Sequence, residues 1–129
     1  GKEHGIKDLV ERINQDSLNI LIIPDANPDT ESCSQINCPI LVLDHHNITE
    51  DNPYPIFVNN TLGDSVNTNL SGAGVTYQFC RAYAQKYNYV CNDFSDLVAT
   101  SIASDMCDLR AYENRYFIKK GLTNTINNM

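Results

Sequence analysis

Tryptophan is absent from the 129 residues, and only nine basic side chains stand against sixteen acidic ones. The resulting formal charge of −7 argues against a stand-alone nucleic-acid-binding module, whose affinity comes from Lys and Arg neutralising phosphates. It leaves room for a catalytic core that holds phosphate through metal ions, because carboxylate ligands themselves add to an acidic excess. No apolar run approaches the roughly 20 residues needed to span a bilayer. No basic stretch followed by an apolar one opens the sequence, so no secretory leader is expected. The five cysteines are odd in number and form no CxxC pair, which excludes a disulfide framework or structural zinc site as the expected design and favours a reduced, cytoplasmic setting. Glycosylation-type triplets at Asn47, Asn59 and Asn69 are expected by chance among sixteen asparagines.

What is present is the composition of one globular domain, 42% apolar and 19% charged. A chain of this length buries about two-thirds of its unfolded surface and holds a core without staples. Residues 6–15 carry Ile6, Leu9, Val10 and Ile13 at helical spacing. Residues 18–23 form a nearly continuous apolar run that stops at Pro24-Asp25-Ala26-Asn27-Pro28, the pattern of a buried strand ending in a loop. Cys33 to Asn37 is a polar connection. Pro39 to Leu43 is a second buried strand running directly into Asp44-His45-His46, and Ile56-Phe57-Val58 is a third. A helix starts at Ser71-Gly72-Ala73-Gly74 and continues to about Tyr87. Asp93 or Ser95 caps the next, which carries Leu97, Val98, Ile102 and Ala103. A last helix covers Glu113 to about Leu122, with Gly121 near its end. Buried strands alternating with helices predict an α/β fold of three layers, a mainly parallel sheet flanked by helices.

In such sheets ligands bind outside the carboxyl ends of the strands. Asp25 follows the first strand and Asp44, His45 and His46 follow the second, so the chemically able residues converge on one edge. A carboxylate beside two imidazoles suits a transition metal such as manganese, with one histidine as ligand and the other on phosphate. A polar loop that merely contains two histidines is the competing explanation. Asp25 serves as a metal ligand or as an Asx-turn residue, and Asp29 is the better cap for a helix beginning near Thr30. Asp105 closes an apolar helical stretch. Its charge there calls for a cation or for an arginine partner, Arg110 or Arg115. Gly72 and Gly74 at a helix start either present N–H groups to an anion or permit close helix–sheet packing.

Four ordered segments, Leu21–Asp25, Val42–His46, Asn69–Val75 and Ala103–Met106, together with Asn52-Pro53-Tyr54, Val58-Asn59-Asn60 and Glu113-Asn114-Arg115, resemble the DHH family of phosphoesterases. The likeness is greatest to its RecJ-like branch of single-strand-specific exonucleases and covers nearly the whole chain. The resemblance implies a metal-dependent phosphodiesterase of recombination or repair, bacterial or phage-encoded, acting on single-stranded nucleic acid with two Mn2+ ions, Mg2+ being a possible substitute. By position, Asp25 bridges the metals and His45 and Asp105 bind one of them. Asp44 orients the site and His46 contacts the scissile phosphate. Gly72 and Gly74 lie near the substrate backbone.

Two parts of the family pattern have no counterpart in the sequence. These are an opening strand with an Asp-rich motif and a C-terminal substrate-binding domain. Residues 1–129 thus read as a partial DHH domain, truncated, with Gly1 to Gly5 resembling the stretch that follows the motif. The span from Asp25 to Asp44 is also short for the family. A chain of this kind is expected to be inactive alone, with a sheet edge open to a second copy. Hydrolysis of short oligonucleotides or small nucleotides, and a non-catalytic structural or binding role, are the alternatives.

Overall fold

The computed structural model describes residues 5–127. Gly1 to His4, part of the stretch with family resemblance, lie outside the described residues. Three strands, β1 (Leu21–Pro24), β2 (Ile40–Asp44) and β3 (Pro55–Asn59), form one fully parallel sheet in the order β1-β2-β3. A 3₁₀ turn at Lys7–Leu9 leads into α1 (Val10–Gln15), shorter than the helical spacing predicts. Then follow α2 (Thr30–Ser34), α3 (Gly72–Tyr87), α4 (Ser95–Ser104) and α5 (Tyr112–Asn127).

Side chains alternate across the sheet. Ile23, Ile40, Val42 and Phe57 face one layer, where Ile6 and Cys33 cover them. Val58 faces the other, against a core of Leu70, Val75, Tyr77, Val98, Ile102 and Phe117 drawn from α3, α4, α5 and the loop before α3. All five cysteines are free. No helix among the described residues is long and apolar enough to cross a membrane.

The first strand begins later than its apolar run. The amide of Leu21 is the first to reach across, donating to the Pro39 carbonyl at 2.9 Å, so residues 18–20 only lead up to the ladder. Nor is β1 buried on both faces. Ile20 and Ile22 are each about half exposed, 47% and 50%, and line a groove with Phe79 and Tyr83 of α3.

Helix ends follow local chemistry. Asp29 caps α2, its two carboxylate oxygens accepting the amide and the hydroxyl of Ser32, each at 2.7 Å. The Ser71 hydroxyl accepts the Gly74 amide to cap α3, which closes on Asn88 in the left-handed region (φ 57°). At α4 the capping position falls to Phe94, and Asp93 accepts the Ser95 amide from one residue upstream, at 3.1 Å.

Gly121 does not end α5, which runs six residues past it. A Cβ there would lie 2.5 Å from the Ala99 methyl and 2.6 Å from the Ser95 carbonyl oxygen. The absent side chain is what lets α5 lie directly on α4.

Two stability predictions follow from these ends. An exposed helical Gly→Ala change stabilises by about 0.5–1 kcal/mol. Gly121→Ala should instead destabilise by roughly 1–3 kcal/mol in urea unfolding, because overpacking prevails. Asp29→Ala should cost about 1 kcal/mol at neutral pH. The Ser32 amide holds the Asp29 carboxyl below its ordinary 3.8, so its contribution is present above that value and is lost as pH falls through the folded-state pKa. The gap between variant and parent should therefore shrink in acid, as measured by denaturation at several pH values.

Candidate metal centre

β2 carries its last ladder position at Asp44, opposite Asn59. Beyond it the chain leaves the sheet, and strand alternation no longer holds His45 and His46 apart. Their rings face one another with centroids 4.3 Å apart and planes inclined at 56°. Asp25 follows β1 directly. Its amide donates to the Leu43 carbonyl at 2.9 Å, and its backbone sits in the left-handed region (φ 55°). That conformation is uncommon outside glycine, and here it turns the carboxylate toward the second strand's end. Asp25 Oδ1 lies 3.4 Å from His45 Nε2.

Gly72, the first residue of α3, abuts this carboxylate so closely that a Cβ would fall 2.0 Å from Asp25 Oδ1. Gly72 therefore packs directly on the Asp25 carboxylate. Gly74 does not share that position: its missing Cβ would meet the Leu70 side chain at 2.5 Å, inside the core. Close packing accounts for Gly74.

Asp44 is fully buried, at 0% exposure. Its Oδ1 lies 2.8 Å from His46 Nδ1, and with a carboxylate as acceptor the donor of that pair is the ring Nδ1–H. Its Oδ2 has no hydrogen-bond partner. A buried, half-satisfied carboxylate is costly unless a cation meets it. One ligand atom from each of Asp25, Asp44, His45 and His46 lies within 4.8 Å of the others. Two carboxylates and two imidazoles are a donor set suited to a divalent transition ion. The orphaned Asp44 oxygen supplies an independent reason for one to bind, so these residues fit a divalent metal.

Asp105 stands outside this cluster. It lies in the exposed turn after α4, where the Ser101 hydroxyl donates to a carboxylate oxygen at 3.2 Å, the Ser104 hydroxyl being turned to the Ser101 carbonyl at 3.0 Å. The expectation that it sits near the buried face is not met, because the chain leaves the helix there and Met106 turns through the left-handed region (φ 49°). Neither expected arginine serves it. Arg110 forks onto Asp108, and Arg115 donates to the carbonyls of Leu109 and Arg110.

Sequence reasoning assigned no role to Asn59, whose side-chain amide donates to the His46 carbonyl at 2.8 Å. The available signal was a polar residue closing the third strand beside the Asp-His-His end of the second.

The Gly72 contact yields a direct test. Gly72→Ala must displace the Asp25 carboxylate, so Mn2+ affinity by calorimetry should fall about tenfold or more. Some loss of stability should accompany it, because the added Cβ also falls 2.8 Å from the Asp25 Cβ. Unchanged affinity would separate Gly72 from the centre.

No family model matches the chain. A protein of Bacillus subtilis strain 168, a putative SPbeta prophage-derived single-strand DNA-specific exonuclease, YorK, is 38% identical over 128 residues, covering 95% of this chain. The corresponding protein of Bacillus phage SPbeta matches equally. The chain spans about a fifth of the length of these curated relatives, 22%. Among solved structures, an exonuclease RecJ bound to manganese superposes over 90% of this chain and 31% of its own, with a TM-score of 0.76 at 20% identity. RecJ from Thermus thermophilus in complex with Mn2+ covers 88% of this chain and 18% of its own, with a TM-score of 0.71 at 19% identity. In sequence the chain is homologous to part of the prophage single-strand DNA-specific exonucleases, and in fold it is like RecJ.

Proposed function

We propose that the chain supplies part of the metal centre of a phosphodiesterase that degrades single-stranded nucleic acid as an exonuclease. The observation that carries this reading is the buried Asp44 carboxylate, one oxygen on His46 and the other unpartnered, within a cluster of four metal-capable side chains at the carboxyl ends of two adjacent strands. The relatives' names and the Mn2+ in the structural neighbours support the same reading.

Asp25 and His45 would hold the cation, with Asp44 beside them in the same cluster. A bound divalent metal supplies Lewis-acid stabilisation of phosphoryl oxygens and makes water acidic enough to act as a nucleophile. Asp44 fixes the tautomer of His46 and its ring orientation. His46 Nε2 is then left to face the scissile phosphate, to which it donates when the ring carries a second proton. Gly72 keeps the approach to Asp25 clear of side chain. Asp105, exposed and outside the cluster, would be a further ligand by the family resemblance alone. The complete protein holds two Mn2+ ions, replaceable by Mg2+. The additional carboxylates come from an acidic motif outside these residues, and substrate selection comes from a further domain. The setting is the cytoplasm of a bacterium, in recombination or repair. The free outer edge of β1 accepts a strand, from the rest of the protein or from a second copy.

Assayed as residues 1–129, the chain should bind Mn2+ weakly, at one site, and leave single-stranded DNA intact. A version extended upstream through the acidic motif should bind tightly and hydrolyse it. Robust nuclease activity in the short chain would refute the incomplete-site reading. In the extended protein, His46→Ala should cut turnover far more than Mn2+ affinity, whereas His45→Ala and Asp105→Asn should weaken Mn2+ binding. Full affinity in Asp105→Asn would remove Asp105 from the ligand set.

A further inference from the structure

We propose that Asn59 is a positioning residue for the metal centre, its side-chain amide fixing the main chain of His46 so that the His46 ring meets Asp44. The inference rests on the metal-phosphoesterase reading of that site. The β2–β3 ladder has its last paired position at Asp44 and Asn59. Two residues further on, the His46 carbonyl has left the sheet and receives the Asn59 Nδ2–H at 2.8 Å, where the next strand residue would have supplied an amide. The side chain of Asn59 thus extends the sheet one step beyond its backbone, just where His45 and His46 need to be held.

The orientation of this amide is dictated by its other end. Asn59 Oδ1 accepts from the amide and from the hydroxyl of Thr61, each at 2.8 Å. An oxygen receiving two donors leaves the NH2 group for His46. Asn59 is only 8% exposed, so little water competes for either bond. His46 is then held at two points, main chain by Asn59 and ring by Asp44, although its own side chain is half exposed at 52%. Asparagine alone among residues of this size carries the donor and the acceptor that the two ends require. Aspartate keeps the Thr61 bonds and loses the one to His46.

That asymmetry sets the experiment. Asn59→Asp cuts the link to His46 and keeps the turn. Thr61→Ala removes one bond of the turn and keeps the link. Asn59→Ala removes the donor without adding charge. The His46 ring resonances are assigned by their loss in His46→Gln and followed by NMR in the metal-free chain, beside Mn2+ calorimetry and thermal melting. In Asn59→Asp and Asn59→Ala the His46 ring signals should shift or broaden, while Mn2+ affinity, which His46 does not set, stays near that of the parent chain. Thr61→Ala should lower the melting temperature and leave the His46 signals in place. Unaltered His46 signals in both Asn59 variants would overturn the proposal, as would the same shift or broadening in Thr61→Ala. If the parent chain takes up no Mn2+, the metal reading fails, and the metal-free ring signals alone decide the role of Asn59.

Discussion

The carboxylate of Asp44 is the group around which the rest of this structure is arranged. It is fully buried, it ends the central strand of a parallel sheet, and one of its oxygens is unpartnered. A buried charge of this kind survives only where neighbours are organised to meet it. The His46 ring turns back onto Oδ1, which requires that the strand stop at Asp44 and the chain leave the ladder at once. The same exit brings the two imidazoles into a tilted contact, 4.3 Å between centroids. Asp25 reaches the cluster because β1 runs in register with β2 as far as Leu43 and then turns through a left-handed residue. The fold thus builds the site from strand termination as much as from the identity of the side chains.

How much of this was legible in the sequence differs by element, for physical reasons. Strands β2 and β3 were readable because they are short apolar runs between turn residues, and the ligand-rich segments were readable because polar residues at strand ends in a parallel sheet gather at one edge. The start of β1 was not, since residues 18–20 are as apolar as the strand itself and only the position of Pro39 across the gap decides where pairing begins. Gly121 carried the signal of a helix end but serves the opposite purpose, admitting α4 to the middle of α5. Local sequence cannot distinguish a glycine that stops a helix from one that packs it, because the deciding atoms, Ala99 and the Ser95 carbonyl, are more than twenty residues away.

The candidate site shows the same division. Asp25, Asp44, His45 and His46 were found and are brought together. Asp105 was read as lying near a buried face because it follows Ile102 and Ala103 at helical spacing, yet α4 ends at Ser104 and the acid turns outward. Periodicity assumes that the helix continues, and it fails one residue past a terminus. Asn59 belongs to the Val58-Asn59-Asn60 segment of the resemblance but carries no role from sequence, for the converse reason. An asparagine at a strand end has many uses, and only the parallel register with Asp44 reveals that its amide reaches the backbone of His46.

The acidic balance of the chain takes on meaning at this site. An acidic protein meets a polyanionic substrate only where local charge is reversed, and a cluster of two carboxylates and two imidazoles does that when a cation is bound and not otherwise. Without a cation, Asp25 and Asp44 repel phosphate. The residues that organise the cluster are mostly uncharged: Gly72 makes room for Asp25, and Asn59 ties down the main chain of His46. Neither adds to the repulsion. In the proposed reading the attraction for phosphate resides in the metal, while Gly72 and Asn59 shape the cluster without adding charge.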